Sequence, residues 1–279
     1  PGDEVVLVKK DSPGIEIIEI TGDEGRLPKE VSKNTAGIAI QKFLEFIGKS
    51  EQGFSLSLHK DMPLGSGLGS SAASAVAGVF AANELMGKPL NQKDLLPFAM
   101  EGERLASGTA HADNVAPALC GGFTLVRSYS PLDIIKLNTP SDLYATVVHP
   151  QIEVKTSDAR KVLRISVPLK KAVMQWGNVG GLVAGLYRED YELIGRSLQD
   201  VIVEPIRSML IPGFDQVKAE SLKAGALGCS ISGSGPSIFA LSKGKETAEK
   251  VKKAMGDVYK NFGIDYNIHL SKVNPNGAQ

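Results

Sequence analysis

The stretch PLGSGLGSSAAS, residues 63–74, decides how this chain is interpreted. Its glycines, Gly65, Gly67 and Gly69, lead into an alanine-rich segment typical of a helix. Glycine lets a backbone adopt φ > 0 and approach a ligand closely. The first N–H groups of a helix have no partner inside it and lie at the positive end of its dipole. The stretch therefore predicts an anion site, most often for phosphate, and the alternative is an ordinary helix cap.

Other glycine motifs fit this stretch less well. No lysine follows the glycines, so the P-loop pattern is absent. Residues 67–72 match the dinucleotide pattern G-x-G-x-x-A, but no strand ending in an acidic residue follows about 20 residues later. The sequence has no G-x-S-x-G, so a hydrolase elbow has no support.

Composition and net charge exclude several classes of protein. The chain has 279 residues, 42% hydrophobic and 22% charged, as in a soluble globular protein of one or two domains. Its net charge is zero, so we expect no nucleic-acid partner. No apolar run reaches the ~18 residues of a membrane span, and no signal peptide is recognisable. Cys120 and Cys229 lie far apart, which indicates two buried thiols in a reducing cytoplasm.

Hydrophobic periodicity predicts the elements of the first half, and a polar stretch at residues 138–142 predicts a domain boundary. The predicted elements are two strands within 3–20, a helix at 34–47, a strand at 54–60, a helix at 71–86, a helix at 91–107 with Asn91 as N-cap, and a strand at 121–126.

The sequence of the second half predicts a different arrangement of strands and helices. Its predicted elements are a strand at 143–148, helices at 170–187, 191–199 and 214–224, two strands around a glycine turn within 228–241, a helix at 247–262 and a strand at 265–270. This order suits a four-stranded antiparallel sheet with helices on one face, the ferredoxin-like plan.

Glu103 falls on the apolar stripe of the helix at 91–107, four residues after Ala99. A buried carboxylate without a partner is costly, so we expect a cation beside it. That cation is either Mg²⁺, given the phosphate loop nearby in sequence, or a basic side chain.

Further polar groups could carry chemistry. Residues 111–117, HADNVAP, hold three polar side chains within four residues. Thr156 and Arg160 share a face if they lie on a helix, and Arg207 follows in the run EPIR at 204–207. Two arginines can clamp a substrate carboxylate, although each could also be an ordinary surface side chain.

Together these segments resemble the GHMP kinase superfamily. The matching segments are residues 63–74, HADNVAP with Gly121 and Gly122, and SGSGPS at 232–237. The form of the first two is similar to the homoserine kinase family in particular. The resemblance covers nearly the whole chain and implies an α+β fold of two domains, with an active site between them. The domains would be a ribosomal-protein-S5-like, ATP-binding domain at 1–140 and a ferredoxin-like domain at 141–279.

The resemblance also implies site residues. Ser71 and Glu103 match the family's magnesium ligands, and Asn114 would orient the attacking hydroxyl. The acceptor would contact His111, Asn114, Thr156, Arg160 and Arg207. ATP would contact Asn34, Lys60, Pro63, Leu64, Gly65, Ser66, Gly67, Leu68, Gly69, Ser70, Ser71, Ala72 and Ala73.

The activity implied is transfer of a phosphoryl group from ATP to the hydroxyl of L-homoserine, giving O-phospho-L-homoserine for threonine biosynthesis. Asp113 adjoins Asn114, and we expect Asn114 to face the acceptor with no strong base required. One alternative is another acceptor, such as mevalonate or shikimate. Another is a non-catalytic ligand sensor of the same fold. Members of the family often form homodimers, and the sequence leaves the oligomeric state open.

One family motif is missing. Homoserine kinases open with a segment reading roughly Asn-x-Gly-Pro-Gly-Phe-Asp, and this chain starts after that point. We expect a longer native product that includes it. A chain without it should bind ATP more weakly and lose most homoserine binding, which calorimetry against the longer protein would test.

Overall fold

The structure, a computed structural model, describes residues 2–152, Val154, Ala159, residues 162–163 and residues 166–279. The chain divides into two compact units. The N-terminal unit consists of Pro1–Leu64, Gly69–Lys136 and Pro275–Gln279, and the C-terminal unit of Gly65–Leu68 and Leu137–Asn274. The glycine stretch therefore contributes to both units.

The N-terminal unit contains a three-stranded sheet and four helices. Strand β3 lies centrally, antiparallel to β1 and parallel to β2. The strands are β1 (Glu4–Lys10), β2 (Ile15–Thr21) and β3 (Gly53–His59), and the helices are α1 (Thr35–Phe46), α2 (Ser70–Leu85), α3 (Leu96–Ser107) and α4 (Val115–Cys120). Strands β4 (Phe123–Tyr129) and β5 (Leu132–Leu137) follow as a separate two-stranded sheet.

Small residues allow α2 to pack deeply in this unit. Ala72, Ala75, Val79 and Ala82 are fully buried on it. A Cβ added at Gly78 would lie 3.1 Å from the Ala36 Cβ of α1, so this glycine permits a close helix–helix approach. Because its small side chains are buried against neighbours on several sides, α2 has a fixed place in the core.

The C-terminal unit contains a four-stranded sheet in the order β7-β8-β6-β9, with every neighbouring pair antiparallel. Its strands are β6 (Leu143–Pro150), β7 (Gly228–Ile231), β8 (Ile238–Lys243) and β9 (Tyr266–Lys272), and its helices are α5 (Leu169–Arg188), α6 (Tyr191–Ser197), α7 (Glu204–Arg207), α8 (Phe214–Lys223) and α9 (Lys245–Phe262). Numbered within the unit, the sheet order is 2-3-1-4, which confirms the predicted ferredoxin-like plan.

The second unit has its own hydrophobic core. Val251, Met255 and Tyr259 of α9 are buried, together with Val148 of β6 and Ile238 of β8. These three helix residues are spaced by four, so they project from one face. That face packs on the sheet and closes the unit.

The predicted helix at 91–107 is wrong at its start. A 3₁₀ turn occupies Gln92–Leu95, and the α-helix begins only at Leu96. Pro97 has no N–H, so an α-helical hydrogen bond from this position to the preceding turn cannot form. Asn91 makes no cap hydrogen bond with its side chain, which donates to Asp94 Oδ2 instead (3.0 Å).

Cys120 and Cys229 are both free and buried. Burial raises the pKa of the Cys229 thiol to about 12, which keeps it protonated. None of the described helices is both long enough and apolar enough to cross a membrane.

Candidate active site

The first turn of α2 is built to accept an anion. Its N-cap is Gly69, held at φ +81°, and this residue has no side chain to cap the exposed N–H groups. The first internal hydrogen bond of the helix runs from Ala73 N to Gly69 O (2.9 Å). The N–H groups before Ala73 are therefore without helical acceptors, as anion binding requires.

Ser71 and Glu103 meet beside this turn. Ser71 Oγ donates to Glu103 Oε2 at 2.8 Å, and Glu103 is only 7% exposed. The approach of α3 to α2 depends on Gly102, where a Cβ would lie 2.8 Å from the Ala75 Cβ. The prediction that Glu103 lies on the buried face of its helix is confirmed.

This pair fits a magnesium ion by the chemistry of its donors. Mg²⁺ prefers oxygen ligands and is usually held by one or two protein groups together with substrate phosphates and water. Ser71 supplies a hydroxyl and Glu103 a carboxylate. In the described part of the chain, no cluster of three or more His, Cys, Asp or Glu side chains could hold a metal by itself.

Asn114 lies against the same turn. A Cβ added at Gly69 would be 3.2 Å from the Asn114 Cγ and Oδ1, so the amide packs directly on the N-cap. Asn114 and His111 are half-buried, whereas Asp113 is exposed. Of the polar groups in residues 111–117, the structure therefore brings Asn114 to the anion site.

Residues Gly65–Leu68 contact the second glycine turn, and both segments belong to the C-terminal unit. Ser232 Oγ donates to Gly67 O (2.9 Å), and Ser237 N donates to Ser66 O (3.2 Å). A Cβ at Gly67 would overlap the carbonyl oxygens of Ser232 and Gly235. Two glycine-rich segments that are far apart in sequence thus fix each other's backbone.

Lys60 and Asn34 have internal contacts that explain them without a nucleotide. The Lys60 ammonium pairs with Asp3 and donates to Ser70 O (2.9 Å) and Ser74 Oγ (2.7 Å). Burial lowers the pKa of Lys60, and the pairing with Asp3 partly offsets this. Asn34 Oδ1 accepts from Ala36 N and Gly37 N and so caps α1. A direct role of either side chain in nucleotide binding stays a prediction.

Asp3 lies near the first turn of α2, and no pattern in the sequence singles it out. Its carboxylate is fully buried and also accepts hydrogen bonds from Asp61 N and Met62 N (3.3 and 3.2 Å). No local pattern announces this role, because the partners lie 57 to 71 residues away in sequence.

Arg207 lies half-buried in the C-terminal unit. Its Nε donates to Ala159 O (3.0 Å) and its Nη1 to Gly233 O (3.1 Å). Thr156 and Arg160, the other predicted acceptor ligands, lie outside the described residues. The two-arginine clamp therefore stays a prediction.

Comparison with known proteins gives the family. Models of the GHMP kinases N terminal domain and of the GHMP kinases C terminal domain match residues 34–122 and 182–261. Homoserine kinase of Chlorobium phaeobacteroides (strain BS1) is 52% identical, over 100% of this chain and 91% of the relative. Homoserine kinase of Chlorobaculum tepidum is 54% identical, over 93% of this chain and 83% of the relative.

A solved structure agrees with these relatives. The crystal structure of homoserine kinase from Cytophaga hutchinsonii is 61% identical, with a TM-score of 0.96 over 99% of this chain and 88% of that chain. Sequence and fold thus agree along nearly the whole chain, and the chain belongs to the homoserine kinase family of the GHMP kinase superfamily.

Proposed function

We propose that the protein transfers the γ-phosphoryl group of ATP to the hydroxyl of L-homoserine, forming O-phospho-L-homoserine, an intermediate in threonine biosynthesis. Membership of a kinase family supports ATP as the donor. The observation that carries the proposal is the Ser71–Glu103 pair, 2.8 Å apart beside the glycine-capped turn of α2. It joins an anion site to two ligands of the kind that Mg²⁺ takes.

The contacts support the following division of roles. Backbone N–H groups in the first turn of α2 bind phosphate oxygens. Ser71 and Glu103 hold Mg²⁺, which offsets phosphate charge when bound. Because such a transfer depends on positioning and charge neutralisation, the protein needs few further groups.

Asn114 and Arg207 are assigned to the acceptor. Asn114 packs on Gly69, where its amide can orient a hydroxyl toward a bound phosphate. Arg207 binds the carboxylate of the acceptor through its guanidinium. The exposure of Asp113 and the placement of Asn114 support a mechanism without a strong base.

Release of ADP by the full-length protein, measured with an acceptor panel, tests the activity. We expect turnover with L-homoserine and none above background with mevalonate or shikimate. Turnover with another acceptor instead would support a different GHMP kinase. No turnover with any acceptor would support the non-catalytic sensor.

Substitutions of Ser71 and Glu103 test the proposed metal site. Ser71→Ala and Glu103→Gln should each lower kcat about 100-fold or more, because each removes stabilisation of developing charge. Their Mg²⁺ requirement should also rise. Glu101→Gln is the matched control, since this carboxylate lies on the same helix but pairs with Arg104 at the surface (3.1 Å). Unchanged Mg²⁺ dependence in both site variants would contradict the assignment of the metal ligands.

A further inference from the structure

Arg207 lies on a helix that is too short to be stable on its own. Helix α7 has four residues, Glu204–Arg207. A single helical turn is unstable in water, because forming it fixes several residues for one hydrogen bond. The direction of the Arg207 guanidinium therefore depends on what anchors this turn to the rest of the C-terminal unit.

Asp200 is one anchor. Its Oδ1 accepts from the N–H groups of Ile202 and Val203, both at 2.8 Å, and its Oδ2 from Glu204 N at 3.2 Å. The carboxylate thus satisfies the backbone donors that lead into α7. It fixes where the turn begins.

Glu204 is the second anchor and lies on the turn itself. It is 8% exposed and forms an ion pair with Lys218 of α8 through Oε1. Within the described residues, its Oε2 has no hydrogen-bond partner. Lys218 is therefore the contact that offsets this buried charge, and Glu204 precedes Arg207 by three residues, on the same side of the turn.

We infer that the Glu204–Lys218 ion pair is a positioning device for Arg207, so that Lys218, on the separate helix α8, sets how tightly the acceptor carboxylate is held. This rests on the proposed function, in which Arg207 binds that carboxylate. Glu204 fixes the rotation of α7, while Ala159 O and Gly233 O direct the guanidinium at its other end. Removing the Lys218 charge leaves Glu204 buried without a counter-ion, which favours a shifted turn.

The test is the steady-state kinetics of Lys218→Met in the full-length protein. We expect the KM for L-homoserine to rise about tenfold or more, because small displacements of a positioning group are costly. The KM for ATP should stay within about twofold of wild type. Lys218→Arg keeps the charge and should restore the homoserine KM.

The matched control is Lys223→Met, on the same helix. Lys223 pairs with Glu220 at 2.7 Å and is 71% exposed, so its loss should leave both KM values unchanged. If Lys218→Met does not fold, Lys218→Gln is used in its place. Calorimetric homoserine binding with a non-hydrolysable ATP analogue gives a second readout, and a urea titration ensures that each variant is assayed folded.

The outcomes separate the two claims. Homoserine turnover by wild type with an unchanged homoserine KM in Lys218→Met, or in Lys218→Gln where that variant replaces it, overturns the positioning role alone. A parallel rise in the KM for ATP indicates general damage and also overturns it. If wild type phosphorylates no acceptor that bears a carboxylate, the proposed function and this inference fail together.

Discussion

The ammonium of Lys60 lies beneath the first turn of α2, with its side chain 1% exposed and that of Asp3 fully buried. Ser74 Oγ donates to Asp3 Oδ2 (2.8 Å), and Ser70 Oγ donates to Met62 O (3.0 Å). This network joins the residue before β1, the loop after β3 and α2. Lys60 acts on the anion site through the carbonyl of Ser70, so its visible role is structural.

Lys60→Met should strongly destabilise the protein. The substitution leaves the Asp3 carboxylate buried without its counter-ion, at a cost of about 3–5 kcal/mol. Unfolding by urea, followed by circular dichroism, measures the change. Lys42→Met is the control, because the Lys42–Glu45 pair is exposed and contributes little to stability. Equal losses of unfolding free energy in the two variants would show that the buried Lys60–Asp3 pair stabilises the protein no more than the exposed Lys42–Glu45 pair.

The glycine loop is the element on which the site depends. Gly65, Gly67 and Gly69 have φ of +69°, +77° and +81°, in the left-handed region that other residues rarely adopt. The room that each position leaves for a Cβ atom differs. A Cβ at Gly65 meets nothing within 4 Å, whereas one at Gly67 lies 2.7 Å from Gly235 O and closer still to Ser232 O. Of these two positions, only Gly67 needs glycine for packing as well as for conformation.

Gly65→Ala and Gly67→Ala therefore form a matched pair. Both place alanine at positive φ, which costs roughly 1–2 kcal/mol. Gly67→Ala must in addition push apart two backbone segments, so it should be less stable than Gly65→Ala and bind ATP more weakly. Urea unfolding and ATP titration of both variants provide the comparison. The idea of a backbone cradle fails if the two variants behave alike.

At the scale of the whole molecule, each unit has its own core. His149 is 5% exposed within the C-terminal unit, with Nδ1 3.1 Å from Ser237 Oγ in the second glycine turn. Burial lowers the pKa of His149, and the charge of His269 lowers it further. The folded unit therefore keeps this imidazole neutral at pH values where the unfolded chain protonates it.

Stability should consequently fall as the solution is acidified below about pH 6.5, the ordinary histidine pKa. In that window the unfolded chain binds a proton that the folded chain does not, so unfolding is favoured as pH decreases. The loss continues until the pH reaches the lower folded pKa. Thermal unfolding of wild type and His149→Gln between pH 7 and 5 measures it. We expect a steeper fall in Tm for wild type, and identical slopes would contradict the prediction.

Local sequence identified much of the molecule. Three sequence patterns correspond to the observed elements. They are the alternation in β3, the small residues of α2 and the order of elements in the second half. Glu103 stands out because it lies on an apolar stripe, whereas Ser71 is identified as a metal ligand only by the family resemblance. Of the separate two-stranded sheet, the sequence predicts only the first strand, because β5 has no clear pattern of its own.

What the sequence determined by itself is the set of local features: the glycines that need positive φ, the helix that begins after them, and the carboxylate on a buried face. What only the tertiary structure decided is which distant partner each polar group takes. Asp3 with Lys60 and Ser232 with Gly67 join residues far apart in the chain, and Glu204 with Lys218 joins two separate helices. Periodicity reports which face of an element is buried, but the partner of a buried charge depends on how separate elements pack, and that is set by the fold as a whole.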